Sequence, residues 1–78
     1  MHELAITQAI VEQCAERCEG ARVLRVVIEI GVDSAVMPDA VRFAFTLCAE
    51  GTLLDGAALE IRTPPGDGLL VREMELEA

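Results

Sequence analysis

The 78-residue sequence has no lysine, tryptophan or tyrosine, and it has a single histidine, His2. All six basic residues are arginine, against fourteen acidic residues, and the formal net charge is −8. This balance disfavours binding to nucleic-acid phosphates and to anionic membranes, since both are negatively charged. A Ser-His-Asp or Cys-His catalytic arrangement has nothing but His2 to use. We therefore do not expect an enzyme, and a small hydrolase is the weakest of the functions considered.

The chain also lacks C-x-x-C pairs and any apolar run long enough to cross a membrane. A structural zinc site is therefore not expected. Cys14 and Cys18 would share one helix face, but we interpret them as small buried apolar residues rather than as a metal pair. With Cys48, the chain has three cysteines, an odd number that cannot all pair in disulfides, and we find no secretory leader ahead of them. Both observations favour a reducing, cytoplasmic location.

Hydrophobic residues make up 53% of the chain, yet the only aromatic ones are Phe43 and Phe45. A chain of this length forms one small domain, and its core must be aliphatic. Local periodicity and breaker residues predict helix 4–19, strand 23–30, helix 38–50, strand 58–62 and strand 69–77. The order α-β-α-β-β indicates an α+β fold, in which two helices pack on a three-stranded mixed β-sheet.

Apolar spacing predicts which side chains face the core. The first helix has an inward stripe that consists of Leu4, Ile6, Thr7, Ile10, Val11, Cys14, Ala15 and Cys18. The second helix has Val41, Ala44, Phe45 and Cys48 inward, and strand 23–30 has Leu24, Val26, Ile28 and Ile30 inward. In the last strand Leu70, Met74 and Leu76 share a face with Arg72, which indicates a bulge or an edge position.

Pairing of the strands follows partly from the connections between them. The crossover from the first strand through the second helix favours a parallel pair, and the last two strands are expected to pair antiparallel. Pro64-Pro65-Gly66-Asp67-Gly68 is the strongest breaker cluster and marks the turn between them. Glu73, Glu75 and Glu77 alternate along the last strand, as a solvated face does. The order of the strands stays open, and so does the choice between a monomer and a strand-swapped dimer.

Met1-His2-Glu3 is the strongest candidate site, because an unblocked terminus makes the main chain itself a chelator. The amine of Met1, the amide nitrogen and imidazole of His2, and the amide nitrogen of Glu3 would close fused rings around one ion. Four nitrogens in a plane suit Ni(II) or Cu(II). A three-residue motif has many accidental matches, and most second-position histidines lie on solvated ends of a chain.

Five stretches of the chain carry a family resemblance in the expected order, followed by a similar final strand from Gly68 to Glu75: Met1-His2-Glu3-Leu4-Ala5-Ile6, Ile28-Glu29-Ile30-Gly31, Pro38 to Phe45, Ala49-Glu50-Gly51-Thr52, and Gly56 to Ile61. On these residues the chain resembles the HypA/HybF family over nearly its whole length. Members of this family are nickel metallochaperones for [NiFe] hydrogenase maturation. The resemblance implies that Met1, His2 and Glu3 form the nickel site. It also implies delivery, together with a HypB-type GTPase, to the hydrogenase large subunit.

One departure from the family pattern is large. Family members carry a zinc-binding lobe with two C-x-x-C pairs between the last two strands, where this chain has the short turn 64–68. We therefore expect residues 1–78 to be a single nickel-binding domain, either a natural minimal member or one from which the lobe has been removed. The alternative is a metal-free interaction module that docks on the GTPase or the hydrogenase.

Overall fold

A computed structural model describes residues 2–78, and it has the predicted five elements in the predicted order. They are α1 (His2–Arg17), β1 (Val23–Ile30), α2 (Pro38–Ala49), β2 (Ala58–Arg62) and β3 (Leu69–Leu76). The two helices and the mixed three-stranded sheet confirm the α+β fold. Among the described residues, neither helix combines the length and the apolar character that spanning a membrane requires.

The ends of the helices follow local chemistry. Gly20, just after α1, has a φ of 83°, a left-handed value that glycine adopts without a steric cost. Pro38 occupies the first turn of α2, where its missing N–H costs no helical hydrogen bond. Met37, the residue before it, provides no side-chain cap. The start of α2 therefore depends on groups from elsewhere in the chain.

The sheet has the order β2-β1-β3, with β1 parallel to β2 and antiparallel to β3. The parallel crossover is confirmed. The prediction that the last two strands pair with each other is wrong, because β1 lies between them. Its apolar sequence explains this: Val23, Val26, Val27, Ile28 and Ile30 are all at most 1% exposed, and a strand so apolar is best placed at the centre.

Two irregularities in the β1–β3 ladder shift the pattern of inward residues. One lies between Val23 and Arg25, and as a result Val23 is buried whereas Leu24 is 40% exposed. The other leaves Arg72 without a partner between Glu73 and Val71, and it confirms the predicted bulge. In the predicted inward face of β3, Met74 is half-buried as expected, but Leu70 and Leu76 are exposed, and Val71 is half-buried instead.

The core lies between the helices and β1, and it is aliphatic as predicted. Its members are Ile10, Val11, Cys14, Cys18, Val23, Val26, Ile28, Ile30, Val41, Phe45, Ala49 and Leu54. The predicted stripe of α1 is confirmed for most positions, but Leu4 is 55% exposed and was wrongly placed inward. Phe45 is buried whereas Phe43 is 71% exposed.

Candidate metal-binding site

The described part of the candidate site lies at the start of α1. His2 is the first residue of this helix, and its side chain is exposed. Met1, which the sequence also predicts as a ligand, lies outside the described residues. In an α-helix the first four N–H groups have no carbonyl acceptor within the helix. The amide nitrogens of His2 and Glu3 belong to this group, so a metal that displaces their protons breaks no helical hydrogen bond.

Glu3 connects this terminus to the second helix. Its Oε2 accepts a hydrogen bond of 3.1 Å from the backbone N–H of Met37, the residue that caps α2. The pKa of the Glu3 carboxyl is lowered from 4.5 to about 2, first by hydrogen bonding with the chain's amino terminus and then by the N–H groups of Met37 and Glu3 itself. The side chain is therefore an ionised carboxylate at neutral pH, placed where the positive end of the α2 dipole favours it.

Thr7 also contacts Glu3, through the backbone of Glu3 rather than through its carboxylate. Its hydroxyl donates a hydrogen bond of 2.6 Å to the carbonyl oxygen of Glu3, one helical turn earlier. Thr7 is fully buried and is the only buried polar side chain among residues 2–78. The backbone of Glu3 is thus fixed by the core below it, while its carboxylate is fixed by α2. The predicted stripe included Thr7 as a core residue, and its hydrogen bond to Glu3 was not foreseen.

An apolar groove adjoins Glu3. It has a volume of ≈ 280 Å³ and lies between the first turn of α1 and α2, lined by Glu3, Leu4, Ala40, Phe43, Ala44 and Leu47. Sequence reasoning missed this surface. One signal was available, since Phe43 falls outside the inward stripe of α2 yet is one of only two aromatic residues.

The remaining candidates behave as packing or surface residues. Cys14 and Cys18 are 3% and 1% exposed within the core, which agrees with their interpretation as small apolar residues. Glu73, Glu75 and Glu77 are exposed. Within residues 2–78, no three His, Cys, Asp or Glu side chains are grouped as a metal site would need. A site made mainly of backbone nitrogens would not appear as such a group.

A family model described as hydrogenase/urease nickel incorporation, metallochaperone, hypA matches residues 1–69. The hydrogenase maturation factor HypA of Nostoc punctiforme is 56% identical over 68 residues, covering 87% of this chain and 60% of that protein. The HypA of Geobacter sulfurreducens is 53% identical over 68 residues, covering 87% and 62%. The chain therefore spans less than two thirds of the length of these relatives.

The fold has a counterpart among solved structures. The solution structure of the Ni metallochaperone HypA from Helicobacter pylori aligns with a TM-score of 0.72, and the match covers 100% of this chain and 95% of that chain. Identity between the two sequences is 22%, so this likeness concerns the fold.

Proposed function

This chain belongs to the HypA family of hydrogenase and urease nickel-incorporation proteins, and on that basis we propose that it binds Ni(II) at its amino end for delivery during [NiFe] hydrogenase maturation. The proposed donors are the amine of Met1, the amide and imidazole nitrogens of His2, and the amide nitrogen of Glu3. The observation that carries the proposal is the position of His2. It begins a helix whose first amides have no carbonyl acceptor within the helix, next to a residue anchored by both Thr7 and Met37.

The chemistry of these donors suits a carrier. The amine, amides and imidazole must lose protons to bind the metal, so nickel affinity falls as the pH is lowered. Because protons compete with nickel for these donors, the bound ion can be released. A protein that transfers its metal to another protein requires such release. Copper binds nitrogen donors more tightly than nickel by intrinsic preference. Selectivity for nickel then comes from the supply of the metal and from the partner proteins.

Nickel titration of the protein with its native terminus tests the donor set. We expect a yellow, diamagnetic square-planar species, and we expect either His2→Ala or a short N-terminal extension to abolish it. Gln8→Ala is the matched control, since Gln8 is exposed on the same helix but away from its start. Retention of the species in both altered proteins would overturn the assignment.

We assign the apolar groove to the partner that exchanges metal with this site, a HypB-type GTPase. Leu4 and Leu47 are 55% and 56% exposed, and Phe43 is 71% exposed, which is unusual for large apolar side chains grouped together. Because Glu3 also lines the groove, a partner bound there would lie next to the metal. Phe43→Ser should weaken binding of the GTPase and leave the nickel spectrum unchanged. Thr46→Ala, at an exposed position on α2, is the control.

The same groove favours the alternative function, a metal-free module that docks on the GTPase or on the hydrogenase large subunit. Metal analysis and GTPase capture, each with the native terminus, separate the two. If the protein binds nickel in a one-to-one ratio, the chaperone function is supported. If it binds no nickel and captures the GTPase equally well with and without nickel present, the metal-free module is supported.

We further propose that residues 1–78 act as a single nickel-binding domain in which the turn 64–68 stands in place of the family's zinc-binding lobe. The turn is held in place by loop 31–33: the N–H groups of Gly31, Val32 and Asp33 donate to the carbonyls of Gly68, Pro64 and Gly66 at 2.7, 3.0 and 2.8 Å. Metal analysis of the purified protein should find nickel after loading and no stoichiometric zinc.

A further inference from the structure

The outer edge of β3 carries unpaired backbone groups and apolar side chains. Among the described strands, β3 pairs with β1 and no other. It is eight residues long, and Leu69, Leu70 and Leu76 are 37%, 46% and 38% exposed. A long edge strand with exposed leucines is a surface on which another strand can add.

The helix layer does not close over this edge. Two cavities of ≈ 270 and ≈ 170 Å³ lie between α1 and β3, and both are lined by Gln13 and Val71. The first is mainly apolar, with Ile6, Ile10 and Leu69 among its lining residues. The second includes Met74. Together they form a groove that runs beside the strand and exposes apolar surface along its length.

The geometry points to a second copy of this chain as the occupant of that edge, with β3 pairing antiparallel to β3 about a twofold axis between Arg72 and Glu73. In this register Arg72 lies opposite Glu73 of the second copy, Val71 opposite Met74, and Leu69 opposite Leu76. Opposite charges and apolar pairs directly across an antiparallel ladder stabilise it. The two three-stranded sheets become one continuous sheet.

The faces of the sheet agree with this register. Arg72 lies 3.7 Å from Glu29, and Glu73 lies 3.2 Å from Arg25, which places both on the open face of the sheet. Val71 and Met74 pack against the core on the helix face. The bulge at Arg72 lies at the centre of the proposed register. Because of the bulge, the consecutive residues Arg72 and Glu73 face the same side of the sheet. Residues that lie opposite each other across the axis therefore also share a face on both sides of the bulge.

Symmetric pairings in the two neighbouring registers of β3 and at the edge of β2 are less favourable. A β3 pair centred on Glu73 sets two carboxylates opposite each other, and one centred on Arg72 does the same with two guanidinium groups. The second free edge, β2, is only five residues long, and its symmetric pairing sets Glu60 opposite Glu60. Like charges directly opposite destabilise a ladder. Of these pairings, the one with its axis between Arg72 and Glu73 is the most favourable.

Charge reversal at the twofold axis gives a direct test. Sedimentation equilibrium at about 0.15 M salt, where the screening length of about 8 Å reduces repulsion between the two −8 chains, should show a concentration-dependent dimer. Arg72→Glu and Glu73→Arg should each weaken dimerisation by roughly tenfold or more, because each sets like charges opposite each other. An equimolar mixture of the two variants should dimerise again, because the side chains that face each other across the axis then carry opposite charges in both pairs.

The mixing experiment also controls for damage to the fold, because each variant has the same internal contacts alone and mixed. Thermal unfolding at low concentration shows that each variant is folded. A wild-type protein that stays monomeric at millimolar concentration overturns the proposal. So does a dimer that neither charge reversal affects, since exchange of the final strand or contact through another surface would give that result.

Discussion

Glu3 is the residue at which the amino end of the chain and the start of α2 meet. Its carboxylate binds the Met37 N–H, while its amide nitrogen is a proposed nickel ligand. We predict that Glu3→Ala keeps the square-planar nickel spectrum but lowers nickel affinity roughly tenfold, as loss of an outer hydrogen bond does at other metal sites. Glu3→Gln, which keeps an oxygen acceptor for Met37, should recover most of the affinity in the same titration.

The outcome also separates two roles for the Glu3 side chain. Glu12→Ala is the control, since Glu12 is exposed on the same helix. If Glu3→Ala changed the spectrum as His2→Ala is expected to do, the carboxylate itself would be a ligand and the anchoring role would be wrong.

Thr7 gives a stability prediction for the same region. Its buried hydroxyl donates to the Glu3 carbonyl at 2.6 Å, and valine has nearly the same shape without the donor. Thr7→Val should lower the free energy of unfolding by about 1 kcal/mol, the usual net contribution of one hydrogen bond. Urea denaturation measures this, with Thr46→Val at an exposed position as the reference. An equal effect of both substitutions would show that the Thr7 bond adds nothing.

The sequence singles out the candidate site residues but does not reveal their contacts. His2 and Glu3 stand out because a histidine next to the terminus has a chemistry that no internal histidine has. The bond from Met37 to Glu3 joins residues 34 positions apart, and no local pattern predicts it. Leu4 was assigned to the core because its spacing fits the stripe. Leu4 instead lines the open groove between α1 and α2, and its exposure is a property of the tertiary packing.

Among the elements, β1 and β3 show where the alternation of apolar and polar residues fails to predict which side chains are buried. Their positions along the chain were predicted to within a residue, but the inward placement of Leu24 in β1 and of Leu70 and Leu76 in β3 was wrong. A bulge adds one residue to one strand and thereby reverses the inward and outward faces beyond it. This is why Val23 replaces Leu24 in the core. Arg72, a charged residue on the predicted apolar face, was the one local signal of such a shift.

The contact between loop 31–33 and turn 64–68 gives a prediction at this level. A Cβ added to Gly31 would clash with the Gly66 carbonyl oxygen, a backbone atom that has little freedom to move. Gly31→Ala should therefore lower the free energy of unfolding by about 2 kcal/mol, within the range for overpacked sites. Gly68→Ala, with open space around its Cβ, is the matched control. Equal melting temperatures for the two variants would show that the loops separate without cost.

For the molecule as a whole, the order of the strands was the main feature left undetermined. The expected hairpin between β2 and β3 followed from the short turn that joins them. In the structure that turn instead crosses over the end of β1 and is hydrogen-bonded to the following loop 31–33. Burying β1 between two partners was favoured over a local hairpin because β1 is the most apolar strand. Local loop length could not reveal this, since the gain arises from contacts distant in sequence.

On the open face of the sheet, ion pairs connect the three strands, and no third layer of structure covers them in residues 2–78. Arg25 on β1 binds Glu60 on β2 at 2.6 Å and Glu73 on β3 at 3.2 Å, so one guanidinium connects all three strands. Val27, between Glu60 and Glu73 in the sheet register, is fully buried although it is not part of the main core cluster. The aliphatic stems of the charged residues cover it.

This network should make stability depend on pH in a defined direction. Hydrogen bonds from Arg62 and then Arg25 lower the pKa of Glu60 below 4.5. A carboxyl with a lowered pKa in the folded state stabilises the protein above its unfolded pKa, and that contribution is lost as the pH falls from about 4.5 through the folded pKa. Glu60→Gln should therefore lower stability at neutral pH and flatten its decline below pH ~4.5. Urea denaturation from neutral to acidic pH measures both effects, with Glu12→Gln as an exposed reference outside the sheet. Because the pair is partly solvated, the effect is small and should shrink further in high salt. A Glu60→Gln profile parallel to that of the wild type would show that the sheet gains nothing from this carboxylate.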